Sequence, residues 1–256
     1  MRLALAFTAA ATLAGCSMLP FGGSAPVSAD APAIQAALAA PSRPQADRDR
    51  DAARKAAETL AFARIRPGQA VGDMIIGGGY FTRLLSEAVG PEGRVIAWQP
   101  AEFIRFQASY GENLTKVDEE RENVSAIRSP IGAPEFGTGQ LDLVFTAQNY
   151  HDLHLRPFAQ DTAAKVNAAV FQALKPGGLY VVIDHHGAPG SGLAVADSLH
   201  RIDPAIVKQE VTAAGFVLDG ESDMLANTTD PLTANVFDGA IRGKTSQFML
   251  RFRKPR

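Results

Sequence analysis

The chain has 256 residues, 25 basic against 27 acidic side chains and a formal net charge of −2. That length suits one α/β domain large enough to hold its own core, and the near-neutral balance excludes the strong basic field of a nucleic-acid binder. A single cysteine, Cys16, excludes a disulfide framework.

Arg2 precedes an apolar run from Leu3 to Leu13 that is too short for a permanent membrane span and ends at Leu13-Ala14-Gly15-Cys16. The pattern reads as a secretory signal peptide over residues 1–15. It resembles the lipobox of bacterial lipoproteins, which are cut before the cysteine and acylated on it, and this implies lipidation of Cys16. Ser17 follows, where Asp is the inner-membrane retention signal of sorted lipoproteins. The resemblance therefore implies an exported lipoprotein on the periplasmic face of the outer membrane, touching the membrane through its N-terminal lipid only. Residues 16–46 are rich in Ala, Pro, Ser and Gly and predict a flexible tether. The folded domain is expected over 47–256.

Ala53, Ala57, Leu60 and Ala61 fall at helical spacing, which predicts an amphipathic helix from Asp47 to Arg64, stopped by Pro67-Gly68. Strand and helix signals then alternate. Strands are expected at 69–75, 94–98, 123–128, 141–147, 178–184, 215–221 and 246–252, with helices at 80–89, 101–110, 159–174 and 204–214. This alternation predicts a doubly wound, mostly parallel α/β sheet of seven strands, with an antiparallel hairpin at its edge formed by the last two. The polar segment from Asp223 to Lys244 reads as an irregular insertion.

Within that frame the stretch VGDMIIGGGYFTRLLSEAV, Val71 to Val89, runs an apolar strand through Gly77, Gly78 and Gly79 into a helix. Glycines there can turn sharply and let a ligand approach the backbone, while the helix start at Tyr80 offers free N–H groups. Asp73 is placed to accept a hydrogen bond from the same ligand. Lys175-Pro176-Gly177-Gly178 is expected to end a helix with an αL glycine and launch a buried strand.

These motifs, with GPEGRVIAWQ, LDLVFTAQNYHDL and ALKPGGLYVVIDH, resemble the class I S-adenosylmethionine-dependent methyltransferases over about residues 50–252. More narrowly, GGGYFTR, NYHDLH, DHH and LHRIDP together with the export signal look like a group of exported bacterial proteins described as predicted methyltransferases. The resemblance implies a Rossmann-like fold and S-adenosylmethionine as cofactor, held by Asp73, Gly77, Gly78, Gly79, Tyr80 and Gln99. The expected substrate is a small molecule or envelope component, and the charge balance points to no nucleic-acid partner. Two positions depart from the family pattern: Ile75 stands where its first motif has glycine, and Gln99 where its second strand ends in an acidic residue.

All five histidines, His151, His154, His185, His186 and His200, lie in or beside the segments after the fourth and fifth strands, at the ligand-binding edge of such a sheet. Three uses are open to them. His151, Asp152 and His185 can act as acid–base catalysts, with Asn149 and His200 contacting substrate. A divalent metal is a second use, and holding the loops together is a third. The alternative to a methyltransferase is accordingly a catalytically diverged lipoprotein of the same fold that binds a divalent metal or an envelope ligand through this cluster.

Overall fold

The computed structural model describes residues 31–256. The expected signal peptide, Cys16 and the first half of the expected tether lie outside the described residues. Seven strands form one sheet: β1 (Ala70–Met74), β2 (Arg94–Pro100), β3 (Val124–Ser129), β4 (Leu141–Ala147), β5 (Leu174–His185), β6 (Val217–Ser222) and β7 (Gln247–Arg253), in the order β3-β2-β1-β4-β5-β7-β6. The first five pair in parallel, and β7 runs antiparallel between β5 and β6. The β6–β7 pair is the edge hairpin that the sequence predicts.

Alternate residues of the central strands feed two cores. Val71, Leu143, Phe145, Val181 and Ile183 join one, and Val144, Tyr180 and Val182 join the other. Such strands read as unbroken apolar runs because both faces are covered. The first face carries α3 (Ala56–Ala63) and α4 (Tyr80–Val89), the second α7 (Thr162–Ala173) and α9 (Pro204–Ala213).

Three expectations fail for identifiable reasons. Residues 31–46, expected as tether, are packed: α1 (Ala31–Ala39) buries Ile34 and Ala37 in the first core, and the buried Arg43 makes a bidentate bond to Asp51 at 2.8 and 2.6 Å. The helix expected over 47–64 is split into α2 (Gln45–Arg48) and α3, joined by turns with Lys55 at φ +43°. Its acidic side chains are drawn to tertiary partners, Asp47 to Arg83 and Asp51 to Arg43 and Tyr80. The helix expected over 101–110 likewise breaks at Gln107 into α5 (Ala101–Phe106) and α6 (Ser109–Glu119).

The KPGG turn also differs in detail. Gly177 has φ +81°, as an αL glycine should, but α7 has already ended at Ala173, and the Gly177 N–H pairs with Lys254 O just beyond the end of β7. A further short helix, α8 (Ala194–Leu199), was not foreseen. The insertion after β6 has no helix or strand, as expected, and is pinned by a buried bidentate pair between Arg201 and Asp230 at 2.9 and 3.0 Å. With the N-terminal segment in the core, Ile34→Ala should cost about 2–5 kcal/mol of stability, the range for truncating a buried aliphatic side chain to Ala. Urea unfolding of the two proteins measures it, and an unchanged midpoint would show that α1 is not docked.

Candidate functional site

The strand order reverses beside β1: β2 and β3 extend to one side, and β4 opens the other. Ligands bind at such a switch point because the loops leaving the two strands part in opposite directions. Here they border a cavity of about 1020 Å³.

On the β1 side, Ile75 turns the chain at φ +60° and donates its N–H to Trp98 O at 2.8 Å. A β-branched residue in that region is strained, by roughly 1–3 kcal/mol, so the departure from glycine changes the side chain while the turn is kept. Gly77 follows at φ +56°, and a Cβ built on Gly77 or Gly78 would meet nothing within 4 Å. These two glycines therefore form an open floor to the cavity. Gly79 does not: a Cβ there would lie 2.7 Å from Val117, so the third glycine admits α6 against the loop rather than a ligand. Arg83 clamps the loop, with Nη2 on Gly78 O at 2.8 Å and Nε on Asp47 at 2.6 Å.

Gln99 is a second correction. It is fully buried, is not among the cavity-lining residues, and spends its Oε1 on the Gly77 N–H at 3.0 Å, while its Nε2 has no partner among the described residues. It shapes the glycine turn from beneath. The carboxylate that reaches the cavity from beyond β2 is Glu102, on the first turn of α5, whose Oε2 accepts the Ile131 N–H at 2.9 Å. Trp98 is core, bonded through Nε1 to Ser129.

Asp73 borders the cavity but is nearly sealed, with Oδ2 accepting from Thr82 Oγ1 at 2.6 Å. Burial raises its pKa to about 7, against a smaller opposing effect of the Thr82 bond. Tyr80 also lines the cavity and donates its hydroxyl to Asp51 at 2.6 Å. Arg54 lies over the Tyr80 ring, 4.6 Å from its centroid, with Gln148 Oε1 at 3.3 Å and, among the described residues, no carboxylate in an ion pair with it. Burial pulls its pKa down to about 10. The sequence hid Arg54 in a charged, Ala-rich run that reads as a solvated helix face.

On the β4 side, Asn149 donates from Nδ2 to Ile75 O at 2.8 Å and to Ala147 O at 2.7 Å, stitching the two loops together at the cavity wall. The 3-10 turn His151–His154 comes next. The five histidines divide here. His151, His185 and His200 line the cavity with Asp152. His154 instead pairs with Glu210 at 3.1 Å, and His186 holds Gly187 O at 2.9 Å.

Asp184, fully buried, organises the group. It accepts the backbone N–H of His151 and of His185, each at 2.7 Å, and its Oδ1 lies 2.8 Å from His151 Nδ1. His151 Nε2 then sits 3.1 Å from Asp152 Oδ1. Burial opposes a charge on His151, but the two carboxylates outweigh it and raise its pKa, so the imidazolium is held between them. Burial likewise works against ionisation of Asp152, and His151 and His200 outweigh it to lower that pKa. Burial pushes His185 down to about 4, leaving a neutral ring whose Nδ1 shares a hydrogen bond with Thr245 at 2.8 Å.

No family model matches the chain, and no curated protein matches it. Solved structures do. A S-adenosylmethionine-dependent methyltransferase from Aquifex aeolicus superposes with a TM-score of 0.54 at 17% identity, over 77% of this chain and 87% of that one. An arsenic(III) S-adenosylmethionine methyltransferase from Chlamydomonas reinhardtii gives 0.52 at 16% identity, covering 88% and 74%. Phosphoethanolamine N-methyltransferase 2 from Haemonchus contortus, in complex with S-adenosylmethionine, gives 0.52 at 17% identity, covering 77% of this chain and 51% of the longer one. At these identities the likeness is one of fold: the chain has the Rossmann-like architecture of class I methyltransferases.

The raised pKa of Asp73 has a signed consequence. With a folded value of about 7 against 3.8 in the unfolded chain, the native state binds the extra proton between these pH values. Stability is therefore greatest below about pH 4 as far as this group is concerned, and is lost as pH rises towards 7. Asp73→Asn should flatten this loss, visible as a smaller fall in Tm from pH 5 to pH 7.5 than in the parent protein. Parallel Tm profiles would mean that Asp73 ionises normally.

Proposed function

We propose that the protein is a S-adenosylmethionine-dependent methyltransferase acting on a small molecule. The observation that carries this reading is the open floor at Gly77 and Gly78 in a cavity whose flanks include Arg54 and Glu102 among their charged side chains. The cofactor's groups match them. Its carboxylate suits Arg54, a half-buried cation without an ion-pair partner among the described residues, and its ribose hydroxyls suit the Glu102 carboxylate in place of Gln99. Its ammonium suits Asp73, which would ionise when a cation arrives. Tyr80 borders the same end, and Phe103 and Ile131 give apolar wall for the base. When bound, the cofactor supplies an electrophilic methyl group.

The chain's own contribution lies in positioning and in the proton. His151, Asp152, His185, Asn149 and His200 make the edge that a substrate would meet. His151 keeps its proton between two carboxylates. Asp152, held ionised beside it, and the neutral His185 are the cavity-lining groups able to take a proton from a substrate hydroxyl or amine; both are weak bases, and Asp152 is the one that His151 orients. Calorimetric titration of the chelator-stripped protein with S-adenosylmethionine should give micromolar binding. Arg54→Met should weaken it about 10- to 100-fold through loss of a charge-assisted bond, and Gly78→Val should abolish it by filling the floor. A folded protein that binds nothing at millimolar cofactor would sink the reading.

We place this enzyme, on the strength of Leu13-Ala14-Gly15-Cys16 and Ser17, among exported bacterial lipoproteins at the periplasmic face of the outer membrane. Labelled palmitate should enter the protein in growing bacteria and fail to enter Cys16→Ser. Equal labelling of both would remove the lipid anchor.

A further inference from the structure

The histidine edge carries more order than a proton acceptor needs. His151 Nε2, Asp152 Oδ1 and His200 Nδ1 come from the 3-10 turn and from the end of α8, and all three side chains line the cavity. Nε2 is 3.1 Å from Oδ1, Nδ1 is 3.9 Å from the same oxygen, and one donor atom from each residue lies within 4.8 Å of the others. Bonds of about 2.0–2.1 Å to a tetrahedral ion place its donors roughly 3.3–3.4 Å apart, so the His151–Asp152 pair already has about the right spacing and His200 must close in on both. The 3.9 Å approach of His200 is too long for a hydrogen bond. His200 is thus aimed at Asp152 without being satisfied by it.

The surroundings of His151 and His200 follow the same logic. His151 Nδ1 is engaged by the buried Asp184 carboxylate at 2.8 Å, which fixes the ring and turns Nε2 towards the cavity, as carboxylates do behind metal-bound imidazoles. His200 adopts φ +54° at the end of α8 and packs its ring edge against Phe237, with centroids 4.8 Å apart. His185 stays outside the set, its ring centroid 6.0 Å from that of His151 and its Nδ1 shared with Thr245.

We propose that His151, Asp152 and His200 form a binding site for one divalent transition-metal ion, with its open coordination positions facing the cavity. Two imidazoles and one carboxylate favour zinc, cobalt or a similar ion over magnesium or calcium, which prefer all-oxygen shells. The ion would take the place of the His151 Nε2 proton. Its use in catalysis rests on the methyltransferase reading: a substrate hydroxyl on the ion would be acidified by it, a task otherwise left to Asp152. The site itself does not depend on that reading, because metal binding is measured without cofactor.

The test is titration of the untagged, chelator-stripped protein with Co²⁺, followed by visible d–d absorption and by displacement with Zn²⁺. One ion per chain is expected, displaced by Zn²⁺. His200→Ala, at a partly exposed position, should weaken binding at least tenfold while circular dichroism stays unchanged. Asp184→Asn, which leaves all three ligands in place, should weaken it about 10- to 100-fold. His186→Gln, a histidine bonded to Gly187 O, should have no effect. Affinity unchanged in His200→Ala, equal loss in His186→Gln, or no binding at millimolar metal would each overturn the site and leave a structural ion-pair cluster. Cofactor binding in the absence of metal binding would overturn this site alone.

Discussion

A single buried carboxylate, Asp184, holds the working edge of this molecule together. It sits near the end of β5 yet accepts the His151 N–H from the loop after β4, and its own strand's next N–H, while fixing the His151 ring. An ionised group without water is tolerated only when its lone pairs are filled and a counter-charge is near, and here the backbone donors and the imidazolium do both. Take the carboxylate away and two loops lose their common anchor, His151 loses its orientation, and Asp152 loses the cation that keeps it ionised. Of the three cavity-facing histidines, it fixes the ring of His151 and the backbone of His185, while the His200 ring is set by Phe237.

The opposite lip is built on the same plan with different chemistry. Backbone strain at Ile75, the amide of Gln99 under Gly77 and the Arg83 clamp on Gly78 together fix a turn that glycine alone would leave loose. Arg83 reaches on to Asp47, so the segment before the first strand is tied to the loop that floors the cavity. The two lips are then joined by Asn149, whose amide bonds to carbonyls of both loops.

Much of the fold was legible because the strands are simple. LDLVFTA and GLYVVID bury both faces and admit no other reading, and the glycine run placed the start of α4 to the residue. The failures came where tertiary partners override local pattern. Nothing in APAIQAALA distinguishes a docked helix from an Ala-rich tether until α4 is there to receive Ile34 and Ala37. The low apolar content of SYGENLTKVDE concealed α6, whose Leu114 and Val117 suffice to bury one side. In the site, spacing drew attention to all five histidines but could not separate the three on the cavity from the two that brace the scaffold. The residue type at the end of β2 suggested Gln99, whereas side-chain direction brings Glu102 to the cavity and leaves Gln99 beneath the turn. Arg54 was invisible for a related reason, since a guanidinium's partners are known only once the chain around it is placed.

The wall that carries Arg50 and Arg54 is a strip of turns between two short helices, with no hydrogen bond in the ladders of the sheet. It is fastened by Asp51 to Arg43 and Tyr80, and by Lys55 to Met224 O. Breaking those few polar contacts opens one side of the cavity while every strand stays paired. Opening of this wall is therefore a local event with a free energy of its own, separate from the unfolding of the domain.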